Sequence, residues 1–227
     1  MKRVVLLSAV LLAGCGAKSP EQQANVPDPN PPTQPLAKSK VEPTKATLTP
    51  GMEAAQKAHD AGNYGEAVRL CTIELATEEA KPAPSWVQLS YLNNQLGLAL
   101  KSAGQYDRAL EYYQKSLAIQ FKKLGADHPD VAVSYNNIGA IHDRKGEYDK
   151  ALEYFRKSLA IRLKKLGPDH PDVAQSYWSV GGAWRGKKDM AKAKEFIGKG
   201  HAILLKKLGP NHPNTKLVKA QLDALKE

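Results

Sequence analysis

Cysteine is nearly absent from this chain of 227 residues, which has only Cys15 and Cys71. A disulfide framework needs an even set at framework spacings, so the fold must hold without one. Apolar runs are short as well. Residues 4–12 form a stretch of nine, far below the ~20 that cross a bilayer as a helix. No Ser-His-Asp or Cys-His spacing, no phosphate-binding loop and no acidic metal cluster is present. We therefore expect no catalytic residue, no metal, no cofactor and no small-molecule substrate. Aromatics are missing from residues 16–50, which hold eight of the fifteen prolines. Such a stretch cannot bury enough apolar surface to offset its ordering entropy, so a disordered tether with polyproline II character is expected. Its reach would run from ~30 Å as a coil to ~100 Å if extended. It reads as a spacer, or else as a docking segment for peptidoglycan or a partner.

What is present begins with charge. Thirty-three basic residues face 23 acidic ones, a net charge of +10. Lys2 and Arg3 contribute two of these, leaving about +8 on a chain that starts at Cys15. The surplus points to acidic partners or an anionic membrane surface and bears on association rather than fold. Lys2 and Arg3 followed by the apolar residues 4–12 suit a secretory signal. The next residues, Leu12-Ala13-Gly14-Cys15, resemble the bacterial lipobox, in which small residues precede the cut and the Cys thiol accepts the lipid. The resemblance implies a signal peptide over 1–14 and lipidation of Cys15, with 15–50 as lipidated Cys and tether. Several acyl chains anchor far more firmly than one. Gly16, rather than Asp, implies by the same resemblance the outer membrane, facing the periplasm.

After residue 50 the chain repeats every 42 residues, and 105–140 match 147–182 at 24 of 36 positions. That level of identity marks a repeated supersecondary unit. Gly-x-Tyr recurs at Gly62/Tyr64, Gly104/Tyr106 and Gly146/Tyr148, and Leu-Gly-x-x-His-Pro at 124–129, 166–171 and 208–213. Each unit reads as two helices. Over 129–145, Val131, Val133, Ile138 and Ile141 fall near helical spacing, and Gly146 suits a left-handed helix end. Over 148–166, Leu152, Phe155, Leu159 and Leu163 share a face, while Lys164 and Lys165 suit the negative end of the helix dipole. Pro171 opens the next helix, where a missing N–H does no harm. The predicted units are about 51–84, 85–128, 129–170 and 171–212. A capping helix over 213–227 turns Leu217, Val218, Leu222 and Leu225 inward.

The pattern resembles the tetratricopeptide repeat, W-x2-L-G-x2-Y followed by A-x3-F. The first half reads Tyr135-x2-Ile138-Gly139-x2-His142 and Tyr177-x2-Val180-Gly181-x2-Trp184; the second reads Ala109-x3-Tyr113, Ala151-x3-Phe155 and Ala193-x3-Ile197. The 42-residue form is similar to the kinesin light chain variety. The end units depart from it. Cys71 replaces the aromatic of the first and Lys81-Pro82-Ala83-Pro84 its connection, while Lys188 and Met190 replace Gly and Tyr in the fourth.

The resemblance implies an all-α, right-handed superhelical solenoid of about four helix-turn-helix repeats, whose first helices line a concave groove for a peptide or protein segment. Register from Gly97, Gly139 and Gly181 puts Asn94, Gln95, Lys101, Asn136, Asn137, Asp143, Arg144, Trp178, Ser179 and Arg185 on that groove. Asn pairs with peptide backbone, Arg and Lys hold a carboxylate, and Trp178 would be an aromatic anchor. Each polar residue also reads as plain solvated surface. The expected work is a scaffold or adaptor in assembly of an envelope complex such as a pilus, secretin or secretion machine. Recruitment of a peptidoglycan enzyme is the alternative, and an enzyme with an unrecognised site the remote one. His128, His170 and His212 fall in separate units, so they read as helix caps rather than as ligands of one ion. Cys71 reads as a buried thiol. The pairs Lys122/Lys123, Lys164/Lys165 and Lys206/Lys207 read as solvated helix ends, and secretion argues against nucleic acid as partner.

Overall fold

Helix caps written into the repeat set the architecture. In the computed structural model, which describes residues 46–225, His128, His170 and His212 each precede a helix with Pro at its start. Each imidazole Nδ1 accepts a backbone N–H, from Asp130 at 3.2 Å, Asp172 at 3.1 Å and Asn214 at 3.2 Å. The capping group is therefore the imidazole, and the neighbouring Asp does other work. Asp127 pairs with Lys164, and Asp169 with Lys206 at 2.7 Å, tying the start of each unit to the end of its second helix. The signal peptide 1–14, Cys15, residues 16–45 of the tether, and Lys226 and Glu227 at the end of the predicted cap lie outside the described residues.

The helices are α1 (Pro50–Asp60), α2 (Tyr64–Glu79), α3 (Trp86–Ser102), α4 (Tyr106–Leu124), α5 (Pro129–Arg144), α6 (Tyr148–Leu166), α7 (Pro171–Gly186), α8 (Met190–Leu208) and α9 (Pro213–Asp223). No strand occurs among the described residues. Each helix packs on its neighbours in sequence, and α5 also meets α7, so the chain stacks as a solenoid of two-helix units. The end helix α9 buries Thr215 and Val218, with Leu217, Leu222 and Leu225 half-buried beside them.

Turns inside the units need a left-handed residue. Gly62, Gly104 and Gly146 supply it at φ 76°, 74° and 75°, but the fourth unit uses Lys188 at φ 65°. The bonds that close the turn are the same in both cases: Glu147 N–H to the His142 carbonyl at 2.8 Å, and Asp189 N–H to the Trp184 carbonyl at 3.0 Å. A side chain there crowds the backbone. Lys188→Gly should therefore stabilise the chain by about 0.5–1 kcal/mol, a rise of roughly 2 °C in Tm, with an unchanged circular dichroism spectrum.

Within a unit the two helices meet at a small–large pair. A Cβ on Gly97 would lie 2.8 Å from the Tyr113 ring, on Gly139 2.7 Å from Phe155, and on Gly181 2.5 Å from Ile197. The first unit solves the same contact in reverse, with Ala55 and Cys71 both buried at the equivalent positions. Burial, with a smaller push from Glu74, raises the Cys71 thiol to about 11, so it stays protonated and packs as a small apolar group.

Between units the buried residue differs from expectation. Leu163 is half-buried, and Arg162 takes the inner face at 4% exposure. Its Nη1 donates to the Ser176 hydroxyl and the Asp172 carbonyl, both at 2.9 Å. At the junction before it, Gln120 Oε1 accepts from the Ser134 hydroxyl at 2.7 Å. After it, Leu204 and Val218 sit in one apolar cluster. At the first junction Glu78 accepts the Ser85 N–H at 2.7 Å and holds Lys81 at 2.5 Å, closing the Lys81-Pro82-Ala83-Pro84 connection. Val133, one of the four apolar residues near helical spacing in α5, is 39% exposed, whereas Val131, Ile138 and Ile141 are buried.

Candidate functional site: the row of first helices

The odd helices α3, α5 and α7 carry the predicted groove residues, and stacking links them by side chains one unit plus one residue apart. Asn137 Nδ2 donates to Asn94 Oδ1 at 3.4 Å, Ser179 Oγ to Asn136 Oδ1 at 3.1 Å, and Trp178 Nε1 to Gln221 Oε1 at 2.6 Å, each across 43 residues. Along the row, then, part of the predicted site is consumed by the stack. Asn136 is 2% exposed, Trp178 4% and Ser179 6%.

Trp178 is corrected from anchor to core. It packs with Ala174, Ile197, Leu204 and Val218, because the next first-helix position is filled by α9 and covers the indole. Asn136 and Ser179 are corrected likewise, since they face each other across the α5–α7 junction, where the Ser179 hydroxyl donates to Asn136 Oδ1. Asn94, Gln95, Lys101, Asn137, Asp143, Arg144 and Arg185 stay half-buried with part of their surface in water. Register counted from the glycines places residues on a helix, but it cannot say which ones the neighbouring unit covers.

A feature missed from sequence lies in the first unit. Gln95 lines a small, partly open cleft between α1, α2 and α3. Met52, Leu92 and Cys71 line it, with Gln56, His59 and Tyr91 as polar neighbours. Gln95 also bonds the Tyr91 hydroxyl, whose pKa burial raises. The only sequence signal was the pairing of the smaller Cys71 with Ala55, where later units carry a large residue opposite Gly.

At the turn of the third unit, His142 Nδ1 meets Glu147 Oε2 at 2.9 Å while its ring stacks on Tyr154 at 5.4 Å. Hydrogen bonds from Lys150, then from His142, hold the Glu147 carboxyl down to about 2. A carboxylate depressed in the folded state gives stability that is present above its unfolded value near 4.5 and lost as pH falls towards about 2. Urea midpoints should be flat above pH ~5 and fall between ~4.5 and ~2, with a smaller fall in Glu147→Gln. Unfolding titrations at fixed ionic strength check this.

Among the described residues no group of three or more His, Cys, Asp or Glu side chains is placed to hold a metal ion. No described helix is long and apolar enough to cross a membrane. The two-helix units, their interlocking small–large pairs and the polar row along the first helices define a helical-repeat scaffold for protein–protein interaction.

The chain belongs to the tetratricopeptide repeat family, whose model matches residues 88–164 and 144–206. No catalytic family is matched, and the repeats take protein or peptide partners as their class. No curated protein matches the chain. Among solved structures it is similar to BtubC (BKLC) from P. vanneervenii, with a TM-score of 0.66 at 20% identity over 75% of this chain and 68% of that one. It is also similar to a Podosopora anserina kinesin light chain-type protein of nearly identical TPR-like repeats, with a TM-score of 0.64 at 26% identity over 77% and 83%. A substituted form of that protein gives 0.65 at 25% identity over 77% and 82%.

Proposed function

We propose that this chain is a membrane-anchored scaffold that holds a protein segment along its first helices, in the periplasm, during assembly of an envelope complex. The observation that carries the reading is the Asn94–Asn137 pair. These two amides stand half-buried on adjacent units and share one long bond of 3.4 Å. Each amide has two N–H donors and a carbonyl acceptor, so the pair keeps capacity for the backbone of a segment laid across it, whatever its sequence. Arg185, half-buried further along the row, adds a cation for a carboxylate. The lipobox match at Leu12–Ala13–Gly14–Cys15 supports lipid attachment through Cys15 and an outer-membrane location, and the proline-rich composition of 16–50 suits a tether.

The test is in-cell crosslinking of the tagged chain beside an Asn94→Ala, Asn137→Ala, Arg185→Ala variant, with acyl labelling of the chain and of Cys15→Ser. We expect one specific envelope protein to be captured, capture to fall at least tenfold in the folded triple variant, and acyl label to vanish in Cys15→Ser. Unchanged capture by the triple variant would remove the first-helix row as the binding surface. Unlabelled parent chain would remove the anchor. A captured peptidoglycan hydrolase or synthase would replace envelope assembly with enzyme recruitment as the pathway.

A further inference from the structure

We propose that the edge where the second helices end docks on an anionic lipid surface. In the last turns of α4, α6 and α8 the sequence runs Phe-Lys-Lys, Leu-Lys-Lys and Leu-Lys-Lys, beginning at Phe121, Leu163 and Leu205. Positions one repeat apart line up along one edge of a solenoid. Phe121 is 48% exposed and Leu205 43% exposed, two repeats apart at one register, with the half-buried Leu163 between them. The lysines beside them are all exposed.

Charge on this edge is unbalanced. Lys164 and Lys206 are neutralised by Asp127 and Asp169. Lys122, Lys123, Lys165 and Lys207 form no ion pair among the described residues. The fourth unit has Asn211 and Asn214 where the second and third carry Asp127 with Asp130 and Asp169 with Asp172, so its connection adds no acid. Unpaired lysines therefore stand in the row that exposes Phe121 and Leu205, and the acid opposing them thins out toward the end of α8.

A lipid headgroup layer uses both halves of this surface. Its phosphates attract the ammonium groups, and the boundary with the acyl chains receives the phenyl and isobutyl groups. A soluble polyanion would use the lysines alone and leave the apolar groups in water. A folded acidic partner would call for a shaped recess, whereas a periodic row of solvated lysines around apolar points needs only a surface. The inference does not rest on lipidation of Cys15, and its test removes that group.

The experiment is co-sedimentation of the full chain carrying Cys15→Ser with vesicles of phosphatidylcholine alone or mixed equally with phosphatidylglycerol. Residues 1–14 are common to every variant and cancel in the comparison. We expect at least tenfold stronger binding to the anionic vesicles. Lys122→Ser, Lys123→Ser and Lys165→Ser together should lower it roughly 100-fold, at about fivefold per lysine. Phe121→Ser with Leu205→Ser should lower it by about tenfold or more while thermal unfolding stays cooperative. Equal binding to both vesicle types, or binding indifferent to the lysine replacements, overturns the proposal. So does binding indifferent to the apolar replacements and abolished by polyglutamate, which would make the edge a site for soluble polyanions.

Discussion

Gly139→Ala is expected to destabilise the chain by about 1–3 kcal/mol, although alanine is the better helix former by about 1 kcal/mol. The added methyl would sit 2.7 Å from two ring atoms of Phe155 and 3.3 Å from the Ala151 carbonyl. The ring is 2% exposed and walled in by Ala140, Leu152 and Val180, so it has little room to retreat. Phe155→Cys alone should cost about 3–4 kcal/mol through the cavity it opens. The double variant recreates the Ala55–Cys71 pair of the first unit, where both residues are buried. The two costs should then fail to add, with a favourable coupling of about 1–2 kcal/mol in a urea-unfolding cycle. Additive costs would mean that the first unit accommodates its pair by a different helix separation, not by exchange of volume across one fixed contact.

The sequence was legible wherever the chemistry is local. His-Pro caps, glycine turns and alternating long helices all depend on residues within a few positions of one another, so the 42-residue pattern exposes them. Reading broke down where burial is decided by the next unit. Counting leucines put Leu163 inside, yet Arg162 is buried because the Ser176 hydroxyl and the Asp172 carbonyl, ten or more residues on, accept hydrogen bonds from its guanidinium. The site fails for the same reason. Asn136 and Ser179 look like free polar side chains on a helix face until the 43-residue step between first helices pairs them. Trp178 looks like an anchor until α9 covers it and Gln221 accepts its indole N–H. The Asn94–Asn137 pair survives as a candidate because its bond is longer and both residues keep partial exposure.

The same non-local logic makes the junction at Arg162 the place for the second large effect. Ser176→Val should cost about 2–3 kcal/mol, since a buried guanidinium loses an acceptor and burial already works against its charge. Arg162→Leu should cost less, because the Ser176 hydroxyl keeps its own bond to the Asp172 carbonyl at 3.2 Å. With both replacements the junction becomes a copy of Leu204 and Val218, the pair that seats α9 on α8. Replacing a buried charge and its polar partner by packed apolar groups is often neutral or stabilising by 1–4 kcal/mol, so the double variant should unfold at or above the urea midpoint of the parent. Successive junctions read Gln120 with Ser134, Arg162 with Ser176, and Leu204 with Val218, three different solutions at one register. Near-identical helices stack favourably in any order, and a mismatched junction buries either an unpaired guanidinium or an unpaired hydroxyl. If the double variant is more stable yet populates a second species in native gels or amide exchange, the polar junctions serve order rather than strength. If it is as uniform as the parent, Arg162 is retained for some other reason and the ordering argument falls.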